Sequence, residues 1–326
     1  MRVALPRVLA ALFALLVLAA RAEPARALCI TTGAPTVTTS STVLSSYDPF
    51  SVSDTILDVQ ITISVPLIAA CQAALSFTRT AGLPAYMSQG GSNLQYSVET
   101  TSGQTLMQTT GYVSGSSPAV GNRLDFTLPL LGSTTQTVRI RVPAGQLVAA
   151  GSYSDLQLSL TLVALGNLLG TAPTALLAQQ PFTPSINVLS KCVLPAPSTS
   201  TLDFTSAISN GIPNSGVVLS TIFNNVQCTA PSILRLSGSA MQPVGSIPAR
   251  TAFDNFINWR ASGNFGNAST VLSTDVATQA SSTTKNVPSG ITSNGTITID
   301  VNLLNGNPVI AGSYQGTLVV TIDPNL

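Results

Sequence analysis

Hydrophobic and polar residues alternate with a period of two along several stretches of the chain. Val59-Gln60-Ile61-Thr62-Ile63-Ser64-Val65 is one, Val138-Arg139-Ile140-Arg141-Val142 another, and residues 156–162 a third. Ile297-Thr298-Ile299-Asp300-Val301 and residues 317–322 do the same in the second half. Successive side chains of a strand point to opposite faces, so each stretch predicts a strand with one face buried. Beyond the N-terminal segment no long stretch carries the period of an amphipathic helix. The pattern predicts an all-β chain folded as two antiparallel β-sandwiches.

The two halves resemble each other. Ala150-Gly151-Ser152-Tyr153 precedes one alternating strand, and Ala311-Gly312-Ser313-Tyr314 precedes another 161 residues later. At the same offset Val138 and Ile140 fall on Ile299 and Val301. Each half also opens with a cysteine followed by a second a few dozen residues on. Internal duplication accounts for all three agreements. The boundary is expected in the proline-containing stretch 171–185, giving an N-terminal domain over 28–180 and a C-terminal domain over 181–326.

Residues 1–27 have the layout of a secretory signal. Arg2 and Arg7 form a basic start, 8–20 is apolar, and Ala20-Arg21-Ala22 and Ala25-Arg26-Ala27 are small-residue cleavage patterns. The apolar run is about 13 residues, short of the ~20 that a membrane span needs. Cleavage after Ala27 removes four arginines and one glutamate, which takes the net charge from +1 to −2. Cys29, Cys71, Cys192 and Cys228 are an even set in an exported chain, so two disulfides are expected, one pair per half. No Cys-x-x-Cys spacing supports a metal site, and no cofactor is implied.

Composition narrows the function. Charged residues are 8% of the chain, with 13 basic, 12 acidic and no histidine. Two lysines in a near-neutral chain leave no electrostatic footprint for nucleic acid. Without histidine there is no serine or cysteine triad, and no carboxylate pair stands out for glycoside chemistry. The expectation is therefore not an enzyme.

The first half carries Gly90-Gly91-Ser92-Asn93-Leu94-Gln95-Tyr96. It also carries Arg141-Val142-Pro143-Ala144-Gly145-Gln146 followed by Ala150-Gly151-Ser152-Tyr153-Ser154-Asp155. These resemble the motifs of the spore coat protein U-like family, which includes the pilins of archaic (Csu-type) chaperone–usher pili. The second half keeps the cysteine pair and the AGSY strand but reads Asp300-Val301-Asn302-Leu303-Leu304-Asn305 in place of the arginine motif. The resemblance implies immunoglobulin-like domains, the second an incomplete pilin fold lacking its seventh strand. It further implies a two-domain tip adhesin secreted through the periplasm to the cell surface. Its partners would be a periplasmic pilus chaperone, an outer-membrane usher, an adjacent pilin that donates its N-terminal strand, and an abiotic or host surface. Tyr314, Leu318, Val320 and Ile322 would form the accepting edge.

Cleavage after Ala27 leaves Leu28 alone before Cys29, too little for a donor strand, so the chain is expected to accept a strand and end the fibre. Residues 172–180 are expected to supply the first domain's seventh strand in cis. In an immunoglobulin-like topology three connections, about 66–72, 129–135 and 164–171, share the pole away from the second domain. They hold Pro66, Leu67 and Ile68; Pro129, Leu130 and Leu131; and Leu165, Leu168 and Leu169. The matching second-domain loop, Asn224-Asn225-Val226-Gln227-Cys228, is polar. Apolar loop tips predict a surface-contacting pole serving attachment and biofilm formation. The alternatives are a lectin-like glycan-binding tip and a spore or cell coat protein. Asp48, Asp54 and Asp58 lack calcium-loop spacing and read as turn and surface residues. Tyr96, Tyr153, Tyr314 and Trp259 read as packing residues.

Overall fold

The computed structural model describes residues 29, 32–67, 71–112, 119–130, 132–165, 173–246, 250–275, 280–286 and 291–324. The leader expected over 1–27 lies outside them. The described chain is all-β, with two hydrophobic cores. One is built from residues between Leu44 and Val188, the other from residues between Phe204 and Ile322.

The first unit runs β1 (Thr36–Thr39), β2 (Thr55–Ser64), β3 (Cys71–Arg79), β4 (Ala85–Gln89), β5 (Ser92–Thr100), β6 (Met107–Gln108), β7 (Leu124–Leu128), β8 (Ser133–Val142), β9 (Gly151–Ser154), β10 (Leu158–Leu165), β11 (Pro173–Pro181) and β12 (Ser185–Val188). One sheet has the order β1-β2-β8-β5-β4-β9-β12, and the facing sheet β11-β10-β3-β6, with β7 also on β3. These are the A-B-E-D and C-F-G neighbours of an immunoglobulin-like sandwich. The alternation that marks the strands also sets their faces. Val59, Ile61 and Ile63 of β2 are buried, while Asp58, Gln60 and Ser64 point outward. Val138, Ile140 and Val142 of β8 and Leu158, Leu160 and Leu162 of β10 complete the same core.

The second unit runs β13 (Cys192–Val193), β14 (Ile208–Ser209), β15 (Ile212–Pro213), β16 (Val218–Cys228), β17 (Ser232–Gly238), β18 (Gln242–Pro243), β19 (Trp259–Phe265), β20 (Ala268–Ser273), β21 (Ala280–Asn286), β22 (Thr292–Leu303), β23 (Tyr314–Gln315) and β24 (Leu318–Pro324). Its sheets are β13-β16-β22-β19-β20 and β21-β17-β24. The duplication is visible in the pairing. Leu158, Leu160 and Leu162 lie opposite Arg79, Phe77 and Leu75, as Leu318, Val320 and Ile322 lie opposite Gly238, Leu236 and Leu234. Trp259 is buried in this core, its indole N–H donating to the Ser239 carbonyl at 2.9 Å.

Two expectations are corrected. Asn224 to Cys228 is not a loop. It is the end of β16, where a register shift and a positive φ of 58° at Asn225 form a bulge. Polar residues there mark the bulge, and the true connection is Thr229-Ala230-Pro231. The boundary placed after residue 180 falls inside the first unit. Phe182 is buried in a T-shaped contact with Phe77 at 4.8 Å, and Ile186 and Val188 of β12 belong to the first core. The units meet beyond Val188. The Ala150 N–H donates to the Thr229 carbonyl at 2.7 Å, and the Leu189 N–H to the Tyr47 carbonyl at 2.9 Å. The Thr229 hydroxyl accepts from the Lys191 N–H at 2.8 Å and donates to the Leu189 carbonyl at 2.9 Å. The Lys191 ammonium reaches Asp48 Oδ2 at 2.6 Å.

Each core is pinned by a disulfide, Cys29–Cys71 or Cys192–Cys228, closing 42 and 36 residues of chain. Loops of that length are worth about 4 kcal/mol on chain-entropy grounds. The first unit adds a buried ion pair. Arg79 Nε donates to Asp155 Oδ2 at 2.6 Å, and its other nitrogens donate to the carbonyls of Gly82 and Tyr86. The Tyr96 hydroxyl donates to the same carboxylate oxygen at 2.8 Å. Burial, with the Asp155 charge beside it, pushes the Tyr96 phenol far above its ordinary range, so it stays a donor.

Asp155→Ala leaves Arg79 and Tyr96 buried without their acceptor and is expected to cost about 3–5 kcal/mol in urea unfolding. The Asp48 carboxyl is held below the usual carboxylate range, chiefly by the hydrogen bond from Lys191. A lowered folded pKa contributes stability above the unfolded value of about 3.9 that is lost as pH falls through the folded one. The unfolding midpoints of the wild type and Lys191→Met should therefore differ at neutral pH and converge in acid.

Candidate functional site

Strand register places the strand ends that flank the three apolar connections at one end of the first unit. Ser64 at the end of β2 lies opposite Ser133 at the start of β8, and Cys71 opposite Leu128. Leu165 at the end of β10 lies opposite both Gln72 and Pro173. At the other end Thr55 meets Val142, Leu158 meets Arg79, and Ser159 meets Pro181. The contacts to the second unit, through Tyr47, Asp48 and Ala150, are made near that other end. The strand ends that flank the three connections therefore lie away from the second unit.

The side chains at this pole divide. Leu130 is 53% exposed, while Pro129 beside it is half-buried. Pro66 is half-buried, and its carbonyl accepts from the Thr32 N–H at 2.8 Å. Leu165 is half-buried within β10. Ile68, Leu131, Leu168 and Leu169 lie outside the described residues. Leu67 is a correction, because it is 1% exposed and part of the first core. The inward set Val59, Ile61 and Ile63 continues through Val65 to Leu67, so the alternation carries past Pro66. Leu67 is a core residue and not a surface finger.

The second candidate site is the outer edge of β24. In the first unit β10 is paired on both edges, to β3 and to β11. Its inward residues Leu158, Leu160 and Leu162 are 1%, 0% and 0% exposed. In the second unit β24 pairs with β17 alone among the described strands. Its inward residues Leu318 and Val320 are only partly covered, and Ile322 is 9% exposed. Equivalent side chains lose cover where the strand has no second neighbour among the described residues. The residues expected at the accepting edge therefore sit on one strand, with Tyr314 just upstream of it.

The carboxylates that could suggest a cation are already engaged. Asp54 pairs with Arg141 at 2.6 Å and Asp58 with Arg139 at 2.8 Å, while Asp48 holds Lys191. Asp54 also accepts from the Ala144 N–H at 2.9 Å, the chief cause holding its carboxyl below the ordinary range. No group of three or more metal-ligating side chains occurs among the described residues.

No family model and no curated protein matches the sequence. Among solved structures the chain is similar to one from the CsuC–CsuE chaperone–tip adhesion subunit pre-assembly complex of Acinetobacter baumannii. The identity is 15%, over 77% of this chain and 84% of that one, with a TM-score of 0.38. It is also similar to the CupB6 tip adhesin from Pseudomonas aeruginosa, at 10% identity over 81% and 85% with a TM-score of 0.27. A third likeness is to a chain of a chaperone–tip adhesin complex of CFA/I fimbriae biogenesis, at 12% identity over 91% and 90% with a TM-score of 0.27. Likenesses at this level carry no weight for function, and the fold assignment rests on the strand order.

Burial separates the two leucines at the pole. Leu67→Ala is expected to destabilise the chain by about 2–5 kcal/mol. Leu130→Ser should stay within about 0.5 kcal/mol of the wild type, both read from urea unfolding.

Proposed function

We propose that the chain is a tip adhesin of an archaic chaperone–usher pilus. On this reading the second unit takes its missing strand first from a periplasmic chaperone. After passage through an outer-membrane usher it takes the strand from the N-terminal segment of the adjacent pilin. The first unit then stands at the outer end of the fibre and meets a surface through its apolar pole, promoting attachment and biofilm formation.

The observation that carries the reading is the contrast between two copies of one strand, β10 paired on both edges and β24 on one. An open edge presents a row of backbone donors and acceptors ready for strand addition. Covering four or five apolar side chains at about 1.5–3 kcal/mol each would make such a joint durable. At the pole the driving force would be removal of apolar area from water. At about 25 cal/mol per Å², a few hundred Å² yields several kcal/mol per tip before association costs. Many fibres per cell then add by multivalency. Contact of this kind needs no shaped pocket, so apolar materials of different chemistry would serve.

The test replaces Leu130 by Ser together with Ile68, Leu168 and Leu169, sparing Leu67, in cells that also express a chaperone, an usher and pilins. Attachment to polystyrene should fall to background while electron microscopy still shows fibres carrying the immunolabelled chain at their ends. Unchanged attachment would end the surface role. Label spread along the shafts would end the tip assignment.

A further inference from the structure

The duplication reveals a second vacancy beside the first. In the first unit β9 lies between two neighbours, β4 on one edge and β12 on the other. The β12 pairing is antiparallel over four residues, with Ser185 opposite Ser154, Ile186 opposite Tyr153, Asn187 opposite Ser152 and Val188 opposite Gly151. In the second unit the equivalent of β9 is β23, which begins at the tyrosine of the repeated Ala-Gly-Ser-Tyr motif. It pairs with β18, the strand that follows β17 as β4 follows β3. Its other edge has no strand among the described residues.

The tyrosine of the motif records the loss. Tyr153 donates its hydroxyl proton to the Ala149 carbonyl at 2.8 Å, and Tyr314 donates to the Ile310 carbonyl at 3.0 Å, the same four-residue reach back. Tyr153 is 0% exposed under β12, whereas Tyr314 is only partly covered. Ala150 and Gly151 are half-buried, whereas Ala311 and Gly312 are exposed.

Both fillers of the first unit, β11 and β12, belong to one continuous stretch that leads to Cys192, the first cysteine of the second unit. Between them Phe182 turns inward, its N–H donating to the Leu158 carbonyl at 2.9 Å and its ring meeting Phe77. In the second unit Leu318 stands where Leu158 does. Leu318, Met241 and Tyr314 are each only partly buried against the second core.

We propose that the second unit accepts a two-strand clasp. A long strand would lie on β24, an apolar plug over Leu318, and a short strand of about four residues along 312–315 just before the donor's own body. The stretch 173–188 of this chain is its built-in template. The inference rests on the open-edge reading above and specifies how much of the donor the site holds. It follows that a donor subunit carries a second extended segment between its long strand and its first cysteine.

The test is hydrogen exchange of the full exported chain with synthetic peptides copying 173–181 or 173–188. The longer peptide should slow exchange at least tenfold over both 318–324 and 312–315, and the shorter over 318–324 alone. The longer peptide carrying Ile186→Asp should keep the first protection and lose the second. Protection of 318–324 by the longer peptide with none at 312–315 would overturn the clasp and leave the open edge standing. So would protection of both segments by the shorter peptide. No slowing at either segment would overturn both.

Discussion

The structure depends on one requirement, that the backbone of a buried strand be hydrogen-bonded on both edges while its inward side chains are roofed. The first unit meets it completely. Its sixth strand lies between two partners, and the leucines on its inner face are closed off from water. The second unit repeats the fold and, among the described residues, meets the requirement on one side only. The same side-chain positions are then half-roofed, and the tyrosine that begins the repeat is half-uncovered. Two copies within one chain thus act as a control for each other, with the neighbouring strand as the variable.

The chemistry of the rest follows from how little charge the chain uses. The buried ion pair of Arg79 with Asp155 joins the end of β3 to the stretch before β10 and takes Tyr96 in as a third member. Two surface pairs, Asp54 with Arg141 and Asp58 with Arg139, tie β8 to β2 and the turn before it. Carboxylates spent this way are not free to hold a cation. Lys191 and Thr229 engage the joint between the units from its two sides, with the linker hydrogen-bonded to both.

Much of this architecture was legible in the sequence because period-two alternation is a direct record of which face is buried. It located the central strands, and the repeated Ala-Gly-Ser-Tyr located the duplication. The strand expected over 172–180 on the family resemblance, where alternation is loose, matches β11, which covers the core with little more than Leu177 and Ala178. The failures have physical causes. Pro66 suggested the end of a strand, but the inward alternation ran on through it to Leu67. Asn224 and Asn225 looked like a polar loop because a bulge also needs a residue that tolerates positive φ. β12 falls within the expected second domain because four residues after a proline give too short a pattern to register. The Arg79–Asp155 pair joins residues 76 positions apart, which no local signal reveals. At the candidate pole the sequence indicated which strand ends share one end of the first unit, since strand order dictates that. It did not separate Leu130, which is exposed, from Leu67, which is core.

The way β11 and β12 run has a mechanical meaning. Both are antiparallel to the strands they pair with, and the chain leaves the first unit for the second directly after β12. Tension pulling the two units apart would be drawn along these strands. Their hydrogen bonds would then be loaded side by side, in shear, and not peeled one at a time. Such a joint yields only when many bonds fail together, so the two units would separate abruptly at a high load and not gradually at a low one.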